Sequence, residues 1–555
     1  MHSDQKLIED RVSRALRERL RREIHTPAVP LEIAVWHVDG GLIDGEHGEP
    51  VAPAEALAQV YQPTALGESW GPAWATSWFR LRAEIPAELQ DQALEAIFNL
   101  GFGDLDPGFH AEGMVYLPDG TVLKGLNPKN QWIPVDDRTA PGGRFEVYVE
   151  AAANPRIAGP DGYMPTFIGD KLTSSREPLY RLSRADINRF DAELWELCQD
   201  LETLNELSRE LAESDARRFR ILRAIERSLD AVDLQDVHRT AAAARAELRE
   251  VLASPASASA HRIAAIGHAH IDSAWLWPLR ETVRKVGRTT ANVVNLMDQY
   301  PDFLFAMSQA QQLAWLKDHR PDVFDRVREY VRQGRFIPVG GMWVESDTNM
   351  PGSEAMARQF LYGKRFFLEE FGVETEEAWL PDTFGYSASL PQIVKAAGIK
   401  WFLTQKISWN TVNKFPHHTF DWEGIDGSRV FTHFPSVDTY SSDLSGGQLA
   451  HAARNFQEKG AASMSLAPFG WGDGGGGPTR EMLARVSRNA DLEGAPRLSM
   501  QRPADFFRAA EAEYPERPVW AGELYLEFHR GTFTTQAKNK QGNRRSEHLL
   551  HEAEL

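Results

Sequence analysis

From residue 261 onward, short apolar runs alternate with helical patterns, and this alternation constrains the fold more than any other feature of the chain. The runs include "IAAIG", "FLFAMS", "RFIPVGG", "EEAWLPD", "KWFLTQ", "RVFTHFP" and "MSLAPFGWGD". Strands separated by helices predict a parallel sheet, because a parallel neighbour can be reached only through a crossover. In such sheets ligands gather at the C-terminal ends of the strands. The first run continues as "HRIAAIGHAHIDSAWLWP", residues 261–278. His268, His270 and Asp272 stand at every second position there, so an extended strand would turn all three to one face.

The segments before it have a different texture. Residues 5–24 carry Leu7, Ile8, Val12, Leu16 and Leu20 at helical spacing among charges, which predicts an amphipathic helix spanning the 1–29 segment. Residues 30–185 alternate in short segments such as "ATSWFRLRAEIP" and "GRFEVYVEAAA" between Gly, Pro and Asp turns, the pattern of a β-sandwich. Residues 186–255 read as long helices rich in Ala, Leu, Glu and Arg, closed by the linker "SPASASA". The expected architecture is therefore multidomain α/β: terminal helix, sandwich-like domain, helical connector, and a β/α domain over 256–555.

The 555 residues exceed what one core accommodates. The net charge of −18 argues against a nucleic-acid or anionic-membrane partner, both of which require concentrated Lys and Arg. A single cysteine, Cys198, excludes an intramolecular disulfide framework and a thiolate metal cluster, and suits a reducing compartment. The charged N-terminus lacks the apolar core of a signal peptide. No window approaches the roughly 20 apolar residues of a membrane span. A cytoplasmic location is expected, and the composition leaves room for a homo-oligomer.

Three constellations carry chemistry. His268, His270 and Asp272 combine imidazole and carboxylate, a suitable donor set for Zn²⁺, although a His-x-Asp pair also occurs as a simple hydrogen-bonded couple. Asp382 in "WLPDTFGYSASLPQI" ends an apolar run, where a carboxylate serves either catalysis or a helix N-cap. "PFGWGDGGGGPTREM", 468–482, contains Gly470, Gly472 and Gly475 in Gly-x-Gly-x-x-Gly spacing. It lacks the strand-borne acidic partner of a dinucleotide site and the Gly-Lys-Ser/Thr of a P-loop. What remains is a mobile, backbone-exposed loop presenting Asp473.

Together with "LYLEFHRGTFTTQAKNKQGNRRSE", these motifs resemble glycoside hydrolase family 38, most closely its cytosolic and bacterial α-mannosidase branch. The resemblance is dense over 256–555 and looser over 30–252. It implies a retaining α-mannosidase with a seven-stranded β/α barrel and one Zn²⁺ per chain, with Co²⁺ as an alternative occupant. His270 and Asp272 become metal ligands, and Asp382 becomes both ligand and nucleophile. Asp473 becomes the general acid, and His268 a residue behind the ligands that orients one of them. Trp275, Tyr440 and His529 fall at sugar-pocket positions, and the implied partner is an α-mannoside oligosaccharide.

The family's fourth metal ligand, a histidine in a His-Asp motif, lies beyond the region matching "GNRRSEHLLHEAE", so the barrel is expected to be incomplete and the chain truncated. Two other readings compete. A metal-dependent polysaccharide deacetylase also places His and Asp on a β/α barrel. A weakly active or non-catalytic carbohydrate-binding protein would fit the absent ligand.

Overall fold

Among the described residues, the alternating segments of the first half pair into two main antiparallel sheets and two short two-stranded ones. The computed structural model describes residues 4–38, 51–103, 107–159, 162–163 and 177–555. One sheet has four strands, in the order His25–Pro30, Arg184–Phe190, Leu94–Asn99 and Trp132–Pro134. The other has six, running Gln62–Thr64, Glu32–His37, Thr76–Glu84, Arg144–Ala152, Glu112–Tyr116 and Val122–Leu126. Phe79, Leu81, Val115, Val147 and Val149 fill the space between the sheets with Phe98, Ile133 and Ile187. The intervening residues Trp78, Met114, Tyr116 and Tyr148 point the other way, into a core shared with the second half of the chain. Both faces of the six-stranded sheet are thus buried, which is why "GMVY" reads as a continuous apolar run rather than a strict alternation.

The expected domain edges move. The N-terminal helical segment ends at Glu23, and His25–Pro30, read as part of the 1–29 helix, pairs with Arg184–Phe190 in the sandwich. That partner strand carries the sandwich past residue 185. Ile8, Val12, Leu16 and Leu20 pack with Leu197, Leu201, Ile221 and Ile225 of helices Ala192–Glu210 and Ala216–Ala231. Leu7, expected on the same face, is 71% exposed. Asp191 caps the first of these long helices by accepting from Leu194 N (2.8 Å), and Cys198 lies on its buried face. Among the described residues no helix is long and apolar enough to cross a membrane.

In the second half the strands are numbered β1 (Arg262–His268), β2 (Phe305–Met307), β3 (Phe336–Pro338), β4 (Glu377–Trp379), β5 (Trp401–Leu403), β6 (Thr419–Glu423), β7 (Arg429–His433), β8 (Met464–Phe469), β9 (Arg497–Met500) and β10 (Val519–Ala521). The ladders form two five-stranded sheets, not one hydrogen-bonded seven-stranded ring. The first runs β3-β2-β1-β8, all parallel, with β9 paired to the start of β1 and β2 to its end. The second runs β4-β5-β7-β6-β10, with β6 antiparallel to β7.

A side-chain hydrogen bond links the two sheets. Leu466 N of β8 donates to the buried His433 Nε2 of β7 (3.1 Å). The two sheets also share one interior, where Ile266 and Ala306 of the first meet Trp379, Leu403 and Phe431 of the second. The parallel strands β1, β2, β3, β4, β5, β7 and β8 all deliver their C-terminal ends to the same side.

Candidate active site

Strand β1 ends at His268, so the every-second-residue geometry expected to align His268, His270 and Asp272 stops before the last two. His268 stays in the interior, with Nδ1 2.9 Å from Ala306 O and Nε2 accepting from Trp379 Nε1 at 3.3 Å. Both ring nitrogens are therefore used in the interior shared by the two sheets, and His268 does not orient a ligand as expected. His270 and Asp272 lie in the loop that follows, and Asp382 follows β4.

His270 Nε2 lies 3.6 Å from Asp272 Oδ1 and 3.5 Å from Asp382 Oδ2. Each of the three residues offers a ligand atom within 4.8 Å of those of the other two. Both ring nitrogens of His270, Asp272 Oδ2 and Glu345 Oε2 are buried without a hydrogen-bond partner, an arrangement that is costly unless a cation meets it. The donor set is hard carboxylate plus borderline imidazole, which suits a divalent ion of the zinc type.

Two residues the sequence did not single out complete the surroundings. Lys406, beyond β5, places Nζ 2.5 Å from Asp382 Oδ1 and lies over the Trp409 ring at 3.6 Å. Glu345, beyond β3, lies 2.7 Å from His270 Nδ1. Each stands just past an apolar run, "KWFLTQK" and "RFIPVGGMWVE", the same signal that identified Asp382. Applying it to every strand would have found both.

These charges set the acidities. Burial pushes the Asp382 carboxyl up, but the His270 contact and the Lys406 ammonium outweigh it and hold Asp382 below the usual carboxylate range. Asp473 is pushed up to about 7, first by burial and then by the carboxylates of Asp272 and Asp382. One carboxyl is thus kept ionised and its neighbour poised to carry a proton near neutrality.

The glycine-rich loop holding Asp473 is packed down rather than mobile and exposed as expected. Gly470 has φ +132°, and a Cβ there would sit 2.2 Å from His268 O, so only glycine fits. Asp473 itself has φ +53°, and its N donates to His270 O (2.6 Å). Gly475 and Gly476 lie against Pro107 and Asn127 of the sandwich. The Tyr440 hydroxyl donates to Asp473 Oδ1 (3.0 Å) while its ring stands edge-on to His270 at 4.8 Å.

A cavity of about 410 Å³ opens over this group, lined by His270, Asp272, Glu345, Asp382, Phe384 and Lys540 among others. That volume lies within the range of small-ligand sites, about 300–1,000 Å³. Trp275 is 39% exposed and outside this lining, with Phe109 of the sandwich edge-on at 5.5 Å. His529 stacks obliquely on Phe384 at 4.6 Å, at the cavity edge.

Residues 260–523 match the glycosyl hydrolases family 38 N-terminal domain, and residues 29–188 match the jelly roll domain of α-mannosidase. The chain is 41% identical to alpha-mannosidase 2C1 of Homo sapiens over 505 residues, covering 90% of this chain and 47% of that protein. It is 36% identical to alpha-mannosidase G of Dictyostelium discoideum, over 91% of this chain and 46% of the relative. The corresponding values for an alpha-mannosidase of Saccharomyces cerevisiae are 34%, 89% and 46%. The chain thus spans about half the length of these relatives. Among solved structures it is similar to an alpha-mannosidase from Enterococcus faecalis V583, with TM-score 0.42 and 20% identity over 48% of this chain and 31% of the other.

Proposed function

The chain belongs to glycoside hydrolase family 38, and from that premise we propose that it is a metal-dependent retaining α-mannosidase acting on terminal α-mannosyl residues of oligosaccharides. The observation that carries the reading is geometric: Asp473, a second buried carboxyl, is held against the His270–Asp272–Asp382 group by its N on His270 O and by Tyr440, with its acidity pushed up while that of Asp382 is held down. A retaining glycosidase needs that pair, one carboxylate to attack and one acid to protonate.

Asp382 attacks the anomeric carbon as Asp473 gives its proton to the departing glycosidic oxygen, leaving mannose esterified to Asp382. Asp473, now ionised, takes a proton from water as that water attacks the same carbon, and Asp382 departs as a carboxylate. Lys406 keeps Asp382 charged between turnovers, and Tyr440 fixes the direction of the Asp473 carboxyl. His270, Asp272 and Asp382 would hold one divalent ion, Zn²⁺ by donor type with Co²⁺ as a substitute, which supplies Lewis-acid and template chemistry for sugar hydroxyls. Phe384 and His529 offer apolar faces for a sugar ring at the cavity edge.

The test uses the 555-residue chain with nitrophenyl α-mannoside and, separately, an N-acetylated oligosaccharide. Release of nitrophenol with mannose first formed as the α anomer is expected. Acetate release without α-mannoside cleavage would replace the reading by a deacetylase, and saturable mannoside binding with neither product would leave a carbohydrate-binding protein.

A further inference from the structure

Glu345 is a buried carboxylate that the glycosidase steps do not use. Its side chain is 5% exposed, and it follows β3, on the opposite side of His270 from Asp272 and Asp382. Its Oε2 lies 2.7 Å from His270 Nδ1, while its Oε1 accepts from the Ser308 hydroxyl. The backbone around it is also held: Glu345 N donates to Gln309 Oε1 (3.3 Å), and Gln309 Nε2 donates to Ile271 O (2.9 Å), the carbonyl next to His270. Gln309 adopts φ +68°, an uncommon value for a residue with a side chain. The Glu345 carboxylate is the charged neighbour of Nδ1, at ion-pair distance though not aligned as a hydrogen bond, and Nε2 is the nitrogen that faces Asp272 Oδ1 and Asp382 Oδ2.

We propose that Glu345, steadied by Ser308, is a positioning residue that selects Nε2 of His270 as the metal-binding nitrogen and strengthens it as a donor. The physical reason is general. An imidazole that gives its other ring N–H to a carboxylate is locked in one tautomer and orientation and becomes the more basic ligand. The inference rests on the metal-dependent reading above and adds a residue that the ligand set itself does not contain. Glu345 also faces the cavity, so its carboxylate adds to the negative charge that Asp272 and Asp382 present to an incoming cation.

The experiment titrates the metal-stripped 555-residue chain with Zn²⁺ against a chromophoric chelator, and with Co²⁺ for its visible absorption. It compares the parent chain with Glu345→Gln, Glu345→Ala and Ser308→Ala. Glu345→Ala should weaken zinc binding by about 100-fold and Glu345→Gln by about 10-fold, because the amide can still accept from Nδ1 but carries no charge. Ser308→Ala should cost less than either, since the carboxylate remains. The Co²⁺ band should shift in Glu345→Gln, a change that a remote packing defect would not cause. Ser346→Ala, which removes a hydroxyl that reaches Met356 Sδ at 3.6 Å and no group of the metal site, should reproduce the parent in both titrations.

Should Glu345→Ala prove insoluble, the isosteric Glu345→Gln carries the comparison. Parent-like zinc affinity and an unshifted Co²⁺ band in Glu345→Gln would overturn the positioning role while leaving the metal site in place. Absence of stoichiometric zinc binding by the parent chain would instead remove the metal-dependent reading on which the role depends.

Discussion

Asp382 and Asp473 are chemically the same side chain, and their surroundings separate them. Asp382 faces His270 and Lys406, so its charge is favoured; Asp473 faces two carboxylates from a buried loop, so its proton is favoured. Asp382→Asn should abolish turnover and also weaken metal binding, because one carboxylate serves both purposes. Retention of near-parent activity toward α-mannosides would remove Asp382 from the nucleophile's place. For Asp473 the active form is the protonated one, present below about pH 7 and lost above it. The parent kcat/KM with a poor leaving group should therefore fall about tenfold per pH unit above that value. Asp473→Asn should lose about 10²–10⁴-fold with poor leaving groups and far less with nitrophenolate, which needs no proton to depart. An equal loss with both substrates would make another group the acid.

At the level of the element, β4 begins with a buried carboxyl. Glu377 is buried in this strand, and burial together with the neighbouring Glu376 pushes it up to about 8. The folded chain thus binds this proton more tightly than the unfolded chain, whose carboxyl titrates near the ordinary value of about 4.3. Its contribution is fully present below the unfolded value and is lost as pH rises through about 8. Glu377→Gln should flatten the stability decline between pH 5 and 9, by an amount on the order of a few kcal/mol. Urea midpoints of the two proteins across that range measure it; parallel curves would mean that Glu377 is already charged in the folded chain.

Across the whole molecule, the sandwich and the β/α half are joined by a buried ionic cluster. Lys285 and Arg288 of helix Leu279–Gln299 reach Glu112 of the sandwich, the latter at 2.7 Å, and Arg288 also pairs with Glu281. Arg284 and Arg320 meet Glu150 at 3.2 and 3.4 Å. Lys285 Nζ donates to Gly108 O (2.9 Å), and its stem lies under Gly474, so the same cluster supports the loop that carries Asp473. Arg288→Met would leave Glu112 and Glu281 buried with one cation fewer, and should destabilise the chain by about 3–5 kcal/mol. Calorimetry checks this. A loss below about 1 kcal/mol would show that Lys285 and Arg284 neutralise both carboxylates by themselves.

Residue pattern alone determined the β-rich first segment, the helices that follow it and the parallel strands of the second half, because periodicity is a local consequence of which face is buried. It also marked His270, Asp272, Asp382 and Asp473, since each stands just beyond an apolar run. Only the tertiary structure decided which of the neighbouring polar groups meet. His268 sits two residues before His270 yet turns inward, because alternation holds only while the chain remains a strand. Glu345 lies 75 positions away in the chain yet touches His270, through the adjacency of strand ends that no local pattern encodes. The division of the strands into two sheets, linked where Leu466 N of β8 meets His433, is likewise a matter of tertiary pairing. The glycine loop, flexible by composition, is held still by Pro107, Gly108 and Asn127. A segment's composition states which conformations it can adopt; the surface that covers it, here contributed by a distant part of the chain, selects one.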